Sequence, residues 1–135
     1  MKARHLFGFG AWIATAAVLP AATAGAGDAA APAAERFPEL HGAYYDMSVC
    51  EYCGLVSAEV VDGWRREVAD LLSRDGLDEA QHRAIRRKAW TAADLEYGNR
   101  GLGGFRNWCR TEGAAAVRRF LDYRARALAG ETEAR

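Results

Sequence analysis

The sequence predicts an all-α fold: a small bundle of three or four short helices held together by a disulfide bond. Apolar residues recur at helical spacing along the chain, and no convincing run alternates apolar and polar residues as a half-buried β-strand would. Three cysteines in a folded part of about ninety residues favour covalent stabilisation, because a hydrophobic core of that size is marginal.

The first well-marked helix follows Ser57, whose hydroxyl is suited to capping a helix N-terminus. Four apolar residues then fall on one helical face: Val61, Trp64, Val68 and Leu71. Gly76 is placed to end this helix in the left-handed conformation. Asp78 and Gln81 then form the pattern of a capping box, which predicts a second helix from residue 79 to about residue 97.

Two further helical segments complete the predicted bundle. Residues 45–53 form a short helix that Gly54 closes, and residues 114–128 form the last helix. In the helix that starts at residue 79, small alanines on the packing face allow a neighbouring helix to approach closely. The residues assigned to that face are Ile85, Ala89, Ala92, Ala93 and Tyr97.

The chain is predicted to begin with an export signal. Lys2 and Arg4 precede a short uncharged apolar run, and small residues follow it with cleavage predicted after Ala24 or Ala26. The expected location is therefore periplasmic or secreted. The predicted order is a signal peptide, a disordered Ala- and Pro-rich tether, the helical domain and a disordered tail, at residues 1–24, 25–38, 39–128 and 129–135.

The charge of the chain argues against a nucleic-acid partner. The sequence carries 18 basic and 18 acidic residues, and removal of Lys2 and Arg4 with the signal leaves 16 against 18, a formal charge of −2. A nucleic-acid-binding domain needs a strongly basic surface. No segment after the signal is apolar enough to suggest a membrane partner.

The three cysteines predict one disulfide and one free thiol. On a helical projection Cys53 lies in the apolar sector of residues 45–53, whereas Cys50 lies towards its edge. We therefore predict a Cys53–Cys109 bond, with Cys50–Cys109 as the alternative, as in other small exported domains. The remaining thiol is expected to be buried, although pairing with another chain is the alternative.

The C-x-x-C spacing of Cys50 and Cys53 also suggests a thiol redox protein or a metal carrier. A thioredoxin-like motif needs a preceding strand, and Glu51 between the thiols would raise their pKa and oppose thiolate formation. A zinc site needs about four ligands, so His41 or His82 would have to join the cysteines. The sequence therefore predicts neither a metal nor a cofactor.

The glycine-rich segment NRGLGGF, residues 99–105, has neither the spacing of a dinucleotide-binding loop nor the G-K-[ST] of a P-loop. It is predicted to be a tight connection in which glycine supplies a positive φ or a close backbone approach. Just before it, Glu96 projects onto the apolar face of its helix, where a carboxylate is costly unless paired. A buried ion pair with Arg100 and Arg106 is predicted, and a raised-pKa acid in a pocket is the alternative.

No catalytic pattern of Ser/His/Asp, H-E-x-x-H or calcium-loop type is present. We therefore predict an exported, non-enzymatic binding or accessory protein that acts through contact with a protein partner. The candidate surface combines residue types favoured at interface hot spots: Phe105, Arg106, Trp108 and Arg110. Two alternatives are the redox or metal function of the C-x-x-C and a small-ligand pocket walled by Trp64, Trp90 and Tyr97.

Overall fold

A computed structural model of the chain describes residues 32–133, without the side chain of Leu102. These residues are almost entirely helical and contain no strand, which confirms the predicted all-α class. The elements in chain order are α1 (Ala33–Arg36), α2 (Pro38–Tyr52), α3 (Ala58–Asp75), α4 (Glu79–Asn99), α5 (Gly101–Trp108), a π-helical turn (Cys109–Gly113) and α6 (Ala114–Glu133). The predicted signal peptide and the first part of the predicted tether lie outside the described residues.

The predicted start and stop signals around α3 and α4 are confirmed. The hydroxyl of Ser57 accepts a hydrogen bond from the backbone N–H of Val60 at 3.3 Å, and Gly76 ends α3 at φ 59°. The capping box is complete, since Gln81 N donates to Asp78 Oδ1 at 2.8 Å and Asp78 N donates to Gln81 Oε1 at 3.1 Å.

Helix α2 is the centre of the fold and is much longer than predicted. Four consecutive residues of α2, from Met47 to Cys50, are buried, so more than one side of the helix is covered. The full set of buried residues is Leu40, Ala43, Tyr44, Met47, Ser48, Val49 and Cys50. A helix that is buried on several sides has no single apolar stripe. For that reason the sequence pattern indicated only residues 45–53 as helical in this region.

Two core clusters lie along α2, one towards its N-terminal end and one towards its C-terminal end. The first joins α2 to α3 and α4 through Leu40, Ala43, Tyr44, Val68, Leu71, Ile85 and Ala89. The second joins α2 to α3 and α6 through Met47, Cys50, Val60, Ala116 and Phe120. Helices α4 and α6 therefore flank the α2–α3 pair, and α6 packs most extensively against α3.

A polar network also ties α2, α3 and α6 together. The guanidinium of Arg119 on α6 binds the carboxylate of Glu67 on α3 at 2.7 Å and that of Asp46 on α2 at 2.7 Å. Glu67 is only 7% exposed, so its charge depends on this partner. Sequence analysis did not identify this network, because its members are 52 and 73 residues apart in the chain.

The glycine-rich connection is helical rather than a turn. Gly101, at φ 62°, separates α4 from α5 as a positive-φ glycine should, but Gly103 and Gly104 lie within α5. The π-helical turn and α6 then follow without an intervening loop. The predicted positive φ is confirmed at Gly101, whereas the prediction of a non-helical connection is wrong for Gly103 and Gly104. The helix penalty of glycine, about 1 kcal/mol per residue, is only a weak guide to where a helix forms.

The helical part extends beyond both boundaries predicted for it, residues 39–128. Helix α1 and the start of α2 occupy the last part of the predicted tether, and Glu35 of α1 lies 3.7 Å from the ammonium of Lys88 on α4. Helix α6 continues through most of the predicted tail, where Glu131 pairs with Arg66 of α3. An alanine-rich composition resembles a flexible linker in sequence, although alanine is also the best helix former.

None of the helices described here combines the length and the apolar composition that crossing a membrane requires.

Candidate functional site

Cys53 and Cys109 form a disulfide bond, as predicted, with an S–S distance of 2.04 Å. The bond joins the end of α2 to the first residue of the π-helical turn. Gly113, the last residue of that turn, packs closely beside it, since a Cβ there would lie 3.3 Å from Cys53 Sγ and 2.9 Å from Leu55 Cδ1. The two cysteines are therefore part of a close-packed structural junction.

Cys50 is a free thiol and is fully buried in the core. Burial, together with the nearby carboxylates of Asp46 and Glu51, raises the pKa of this thiol to about 11. A neutral thiol is a poor nucleophile and a poor metal ligand. Because Cys53 is also engaged with Cys109, the arrangement opposes a redox or metal function for the C-x-x-C. Within residues 32–133, no group of three or more His, Cys, Asp or Glu side chains is placed to hold a metal ion.

Trp108 is fully buried, so its assignment to an interaction surface is wrong. Its indole N–H donates to the carboxylate of Glu112 at 2.6 Å, and the rings of Tyr52 and Tyr97 each lie 6.4 Å from it. Of the other residues predicted for that surface, Phe105 is half-buried, whereas Arg106 and Arg110 are exposed. Trp108 serves as a core anchor for the π-helical turn.

The predicted ion pair between Glu96 and Arg100 forms at 2.8 Å, but it is not buried, because 48% of the Glu96 side chain is exposed. The prediction of burial is wrong since the last turns of α4 lie mostly at the surface. Arg106 is exposed, and within the described part of the chain it joins no ion pair. The second partner of Arg100 is instead Glu112, at 3.3 Å.

Glu112, which sequence analysis missed, connects three elements. Its carboxylate accepts hydrogen bonds from Trp108 on α5, from Tyr45 on α2 at 3.4 Å, and from Arg100 after α4 at 3.3 Å. The guanidinium of Arg100 also lies over the Trp108 ring, 5.3 Å from its centroid. Only Trp108, four residues earlier, lies at a spacing that a helical pattern could indicate. Arg100 and Tyr45 are 12 and 67 residues away in the chain, so a local pattern does not reveal them.

A groove of about 410 Å³ lies between α2, α3 and α4. This volume is in the range of about 300–1,000 Å³ that is typical of ligand-binding clefts. Four residues of α2, one of α3 and three of α4 line it: Tyr44, Met47, Ser48, Glu51, Trp64, Arg86, Arg87 and Trp90.

The floor of the groove is built from groups that bind one another. The rings of Tyr44 and Trp64 meet edge to face at 5.8 Å, and the Tyr44 hydroxyl lies 2.5 Å from Nε2 of His82. Burial raises the pKa of Tyr44, so its phenol stays neutral at physiological pH. The hydroxyl of Ser48 donates to the backbone carbonyl of Tyr44 at 2.9 Å. The floor therefore offers mainly apolar contact.

The rim of the groove carries positive charge and an exposed aromatic side chain. Arg86 and Arg87 are exposed, and neither forms an ion pair with any other described residue. Trp90 is 61% exposed, the largest value among the exposed large hydrophobic residues of the described chain. A smaller concavity of about 270 Å³ lies beyond Trp90, beside Tyr52 and Asp94, whose side chains are hydrogen-bonded at 2.6 Å. Trp90 thus projects between two concavities.

The predicted pocket walled by three aromatic residues is found in part. Trp64 and Trp90 line the groove, but Tyr97 does not, since it stacks on Tyr52 with ring centroids 4.5 Å apart. One face of α4 could have been recognised in the sequence, because five of its residues recur at helical spacing: Arg86, Arg87, Trp90, Asp94 and Tyr97. We refer to these five residues as the α4 face.

The fold and the site together define a small all-α, disulfide-linked domain with an aromatic and basic helix face beside a groove. No protein-family model matches the chain, and neither the curated proteins nor the solved structures compared with it gave a match. The chemistry of the groove and of the α4 face is therefore the basis for a functional proposal.

Proposed function

We propose that this chain is a non-enzymatic binding or accessory protein that contacts a protein partner through the α4 face. The observation that carries the proposal is the exposure of Trp90, 61%, on the same side of α4 as Tyr97, which is 41% exposed. Large aromatic side chains are costly to leave in water, and contiguous exposed ones mark interaction sites. Tryptophan and arginine, which both occur on this face, are also the residue types enriched at interface hot spots.

The polar groups around the groove support binding rather than catalysis. The Tyr44 hydroxyl is paired with His82, and the Tyr52 hydroxyl is paired with Asp94. An acid–base catalyst needs a group of suitable pKa that can reach a reacting atom. Here the Asp94 hydrogen bond raises the pKa of Tyr52 to about 12, which makes this phenol a poor base at neutral pH.

The proposed location is the periplasm or the exterior of the cell. The predicted signal peptide supports export, and the Cys53–Cys109 bond is typical of an oxidising compartment.

Photocrosslinking tests the proposed protein contact. The photoreactive residue p-benzoylphenylalanine would replace Thr91, an exposed residue beside Trp90, in the cells that produce the chain. We expect a discrete protein adduct that disappears when Trp90→Ala is added. The matched control carries the same photoreactive residue at Asp122, an exposed position on α6. Absence of an adduct from position 91, or the same adducts from both positions, would contradict the proposal.

A further inference from the structure

Resting on the proposed function, we infer that the partner presents an acidic segment with one bulky apolar side chain. The apolar side chain enters the groove between α2, α3 and α4, and the carboxylates beside it pair with Arg86 and Arg87. The inference depends on the apolar walls of the groove and on the two guanidinium groups at its rim.

The apolar part of the inference follows from the walls of the groove. Tyr44 and Met47 from α2, Trp64 from α3 and Trp90 from α4 form three sides of a space of about 410 Å³. The thioether of Met47 is flexible and polarisable, so it adapts to aromatic and aliphatic side chains alike. The hydroxyls of Tyr44 and Ser48 are already hydrogen-bonded to other groups of the protein, and the buried indole N–H of Trp64 is a donor without a partner among the described residues. A mainly apolar side chain therefore fits this space, and a single acceptor on it could meet Trp64.

The acidic part follows from the charges of the lining residues. Arg86 and Arg87 line one side, and Glu51 is the only acidic lining residue, which leaves a net positive charge of one. Neither arginine has a carboxylate within ion-pair distance among the described residues. By contrast Arg83, one turn earlier on α4, pairs with Glu79 at 3.4 Å. Arginine binds carboxylates through two parallel hydrogen bonds, so this rim fits a flanking Asp or Glu.

The position of Asp94 sets the direction of the segment. Asp94 lies beyond Trp90, away from the groove and beside the smaller concavity. A carboxylate of the partner would be repelled there, whereas it is attracted at Arg86 and Arg87. The acidic residues of the segment therefore lie at the Arg86–Arg87 end of the α4 face, and apolar or basic residues lie at the Asp94 end.

Selection of random displayed peptides against the folded, disulfide-bonded protein tests this inference. We expect enrichment of peptides that carry Asp or Glu beside an aromatic or large aliphatic residue. One enriched peptide is then synthesised and its affinity is measured by calorimetry. Its affinity should be about tenfold or more lower for R86E/R87E than for the unmodified chain, since hydrogen bonds to charged groups contribute that much. The variant Glu51→Gln should bind the same peptide more tightly, because it removes the repelling charge.

A matched control is the double variant R106E/R110E. It changes the net charge by the same amount at two exposed arginines outside the groove, and it should bind the peptide as the unmodified chain does. Enrichment of neutral or basic peptides, absence of enrichment, or equal weakening in both double variants would overturn the inference. If R86E/R87E leaves the crosslink at position 91 unchanged while Trp90→Ala abolishes it, the proposed function survives and the inference fails.

Discussion

Gly63→Ala is expected to destabilise the protein severely, because α3 and α6 meet backbone to backbone at this residue. A Cβ on Gly63 would lie 2.0 Å from the carbonyl oxygen of Phe120 and 2.7 Å from its carbonyl carbon. A real Cβ essentially never approaches another heavy atom within 3.0 Å. The difference, 3.0 minus 2.0 Å, means that the two helices must separate by at least 1.0 Å.

The cost of that separation is estimated from the packing of the second core cluster. Val60 and Phe120, which are 1% and 0% exposed, lie at the α3–α6 contact and would lose part of their dispersion contacts. A radial gap of about 0.5–1 Å removes roughly a quarter to a half of each contact energy. Overpacking by itself costs about 1–3 kcal/mol. Because the lost dispersion contacts add to the upper part of this overpacking cost, we expect the free energy of unfolding to fall by at least about 3 kcal/mol, a large part of the stability of a small domain.

Thermal unfolding followed by circular dichroism, with the disulfide intact, measures this effect. A loss of at least 3 kcal/mol corresponds to a fall in Tm of about 12 °C or more for a domain of this size. The matched control is Gly42→Ala in α2, where the new Cβ would lie 3.4 Å from Nη1 of Arg119, about an ordinary van der Waals distance. This variant should be as stable as the unmodified protein, or more stable by up to about 1 kcal/mol. Similar Tm values for the two variants would refute the close α3–α6 approach.

Three further predictions concern the covalent and polar interactions of the core. The variant Cys53→Ser/Cys109→Ser removes a cross-link that closes a loop of 57 residues, 109 − 53 + 1. Urea denaturation should show a loss of about 4 kcal/mol, and a loss below about 1 kcal/mol would contradict the loop-entropy explanation. Cys50 should resist alkylation at neutral pH until the protein is unfolded, because its thiol is buried and its pKa is raised from 9.0 to about 11. Since the folded-state pKa lies above the unfolded value, this thiol stabilises the fold below pH 9 and the contribution is lost as pH rises towards 11. Urea denaturation between pH 9 and pH 11 should therefore show a smaller loss of stability for Cys50→Ala than for the unmodified protein. Equal losses would contradict the raised pKa of Cys50. Arg119→Met should lower the free energy of unfolding by about 2–4 kcal/mol in the same assay, below the full value for a buried pair since the Arg119 side chain is 31% exposed. Adding Glu67→Gln should recover part of that loss, and no recovery would show that the cost does not come from an unpaired carboxylate.

Local signals in the sequence were sufficient to predict the boundaries of α3 and the start of α4. Ser57, Gly76 and the capping box act through contacts within a few residues, so their geometry is contained in a short stretch of chain. The choice of Cys53 over Cys50 was also correct, but the burial on which it rested is reversed in the structure. Cys50 is fully buried in the core, whereas Cys53 follows the last residue of α2 and is only partly buried.

Predictions that depended on which helix faces are covered were less successful. Glu96 was placed in the core because it continues the alanine side of α4, but the end of that helix is mostly exposed. Trp108 was placed at the surface because tryptophan and arginine occur together there, but it is fully buried with its N–H bound to Glu112. For Glu96 the helical repeat was read correctly and the packing partners were unknown, whereas the helix that contains Trp108 was not predicted at all.

The sequence by itself determined the all-α class, both ends of α3 and the capped start of α4. These features depend on backbone propensity and on hydrogen bonds between near neighbours, which a linear pattern contains. Only the tertiary structure decided that α2 is buried on several sides, that Arg119 joins three helices and that Trp90 projects beside a basic-rimmed groove. Those features bring together residues far apart in the chain, and their energies arise only when the helices are packed.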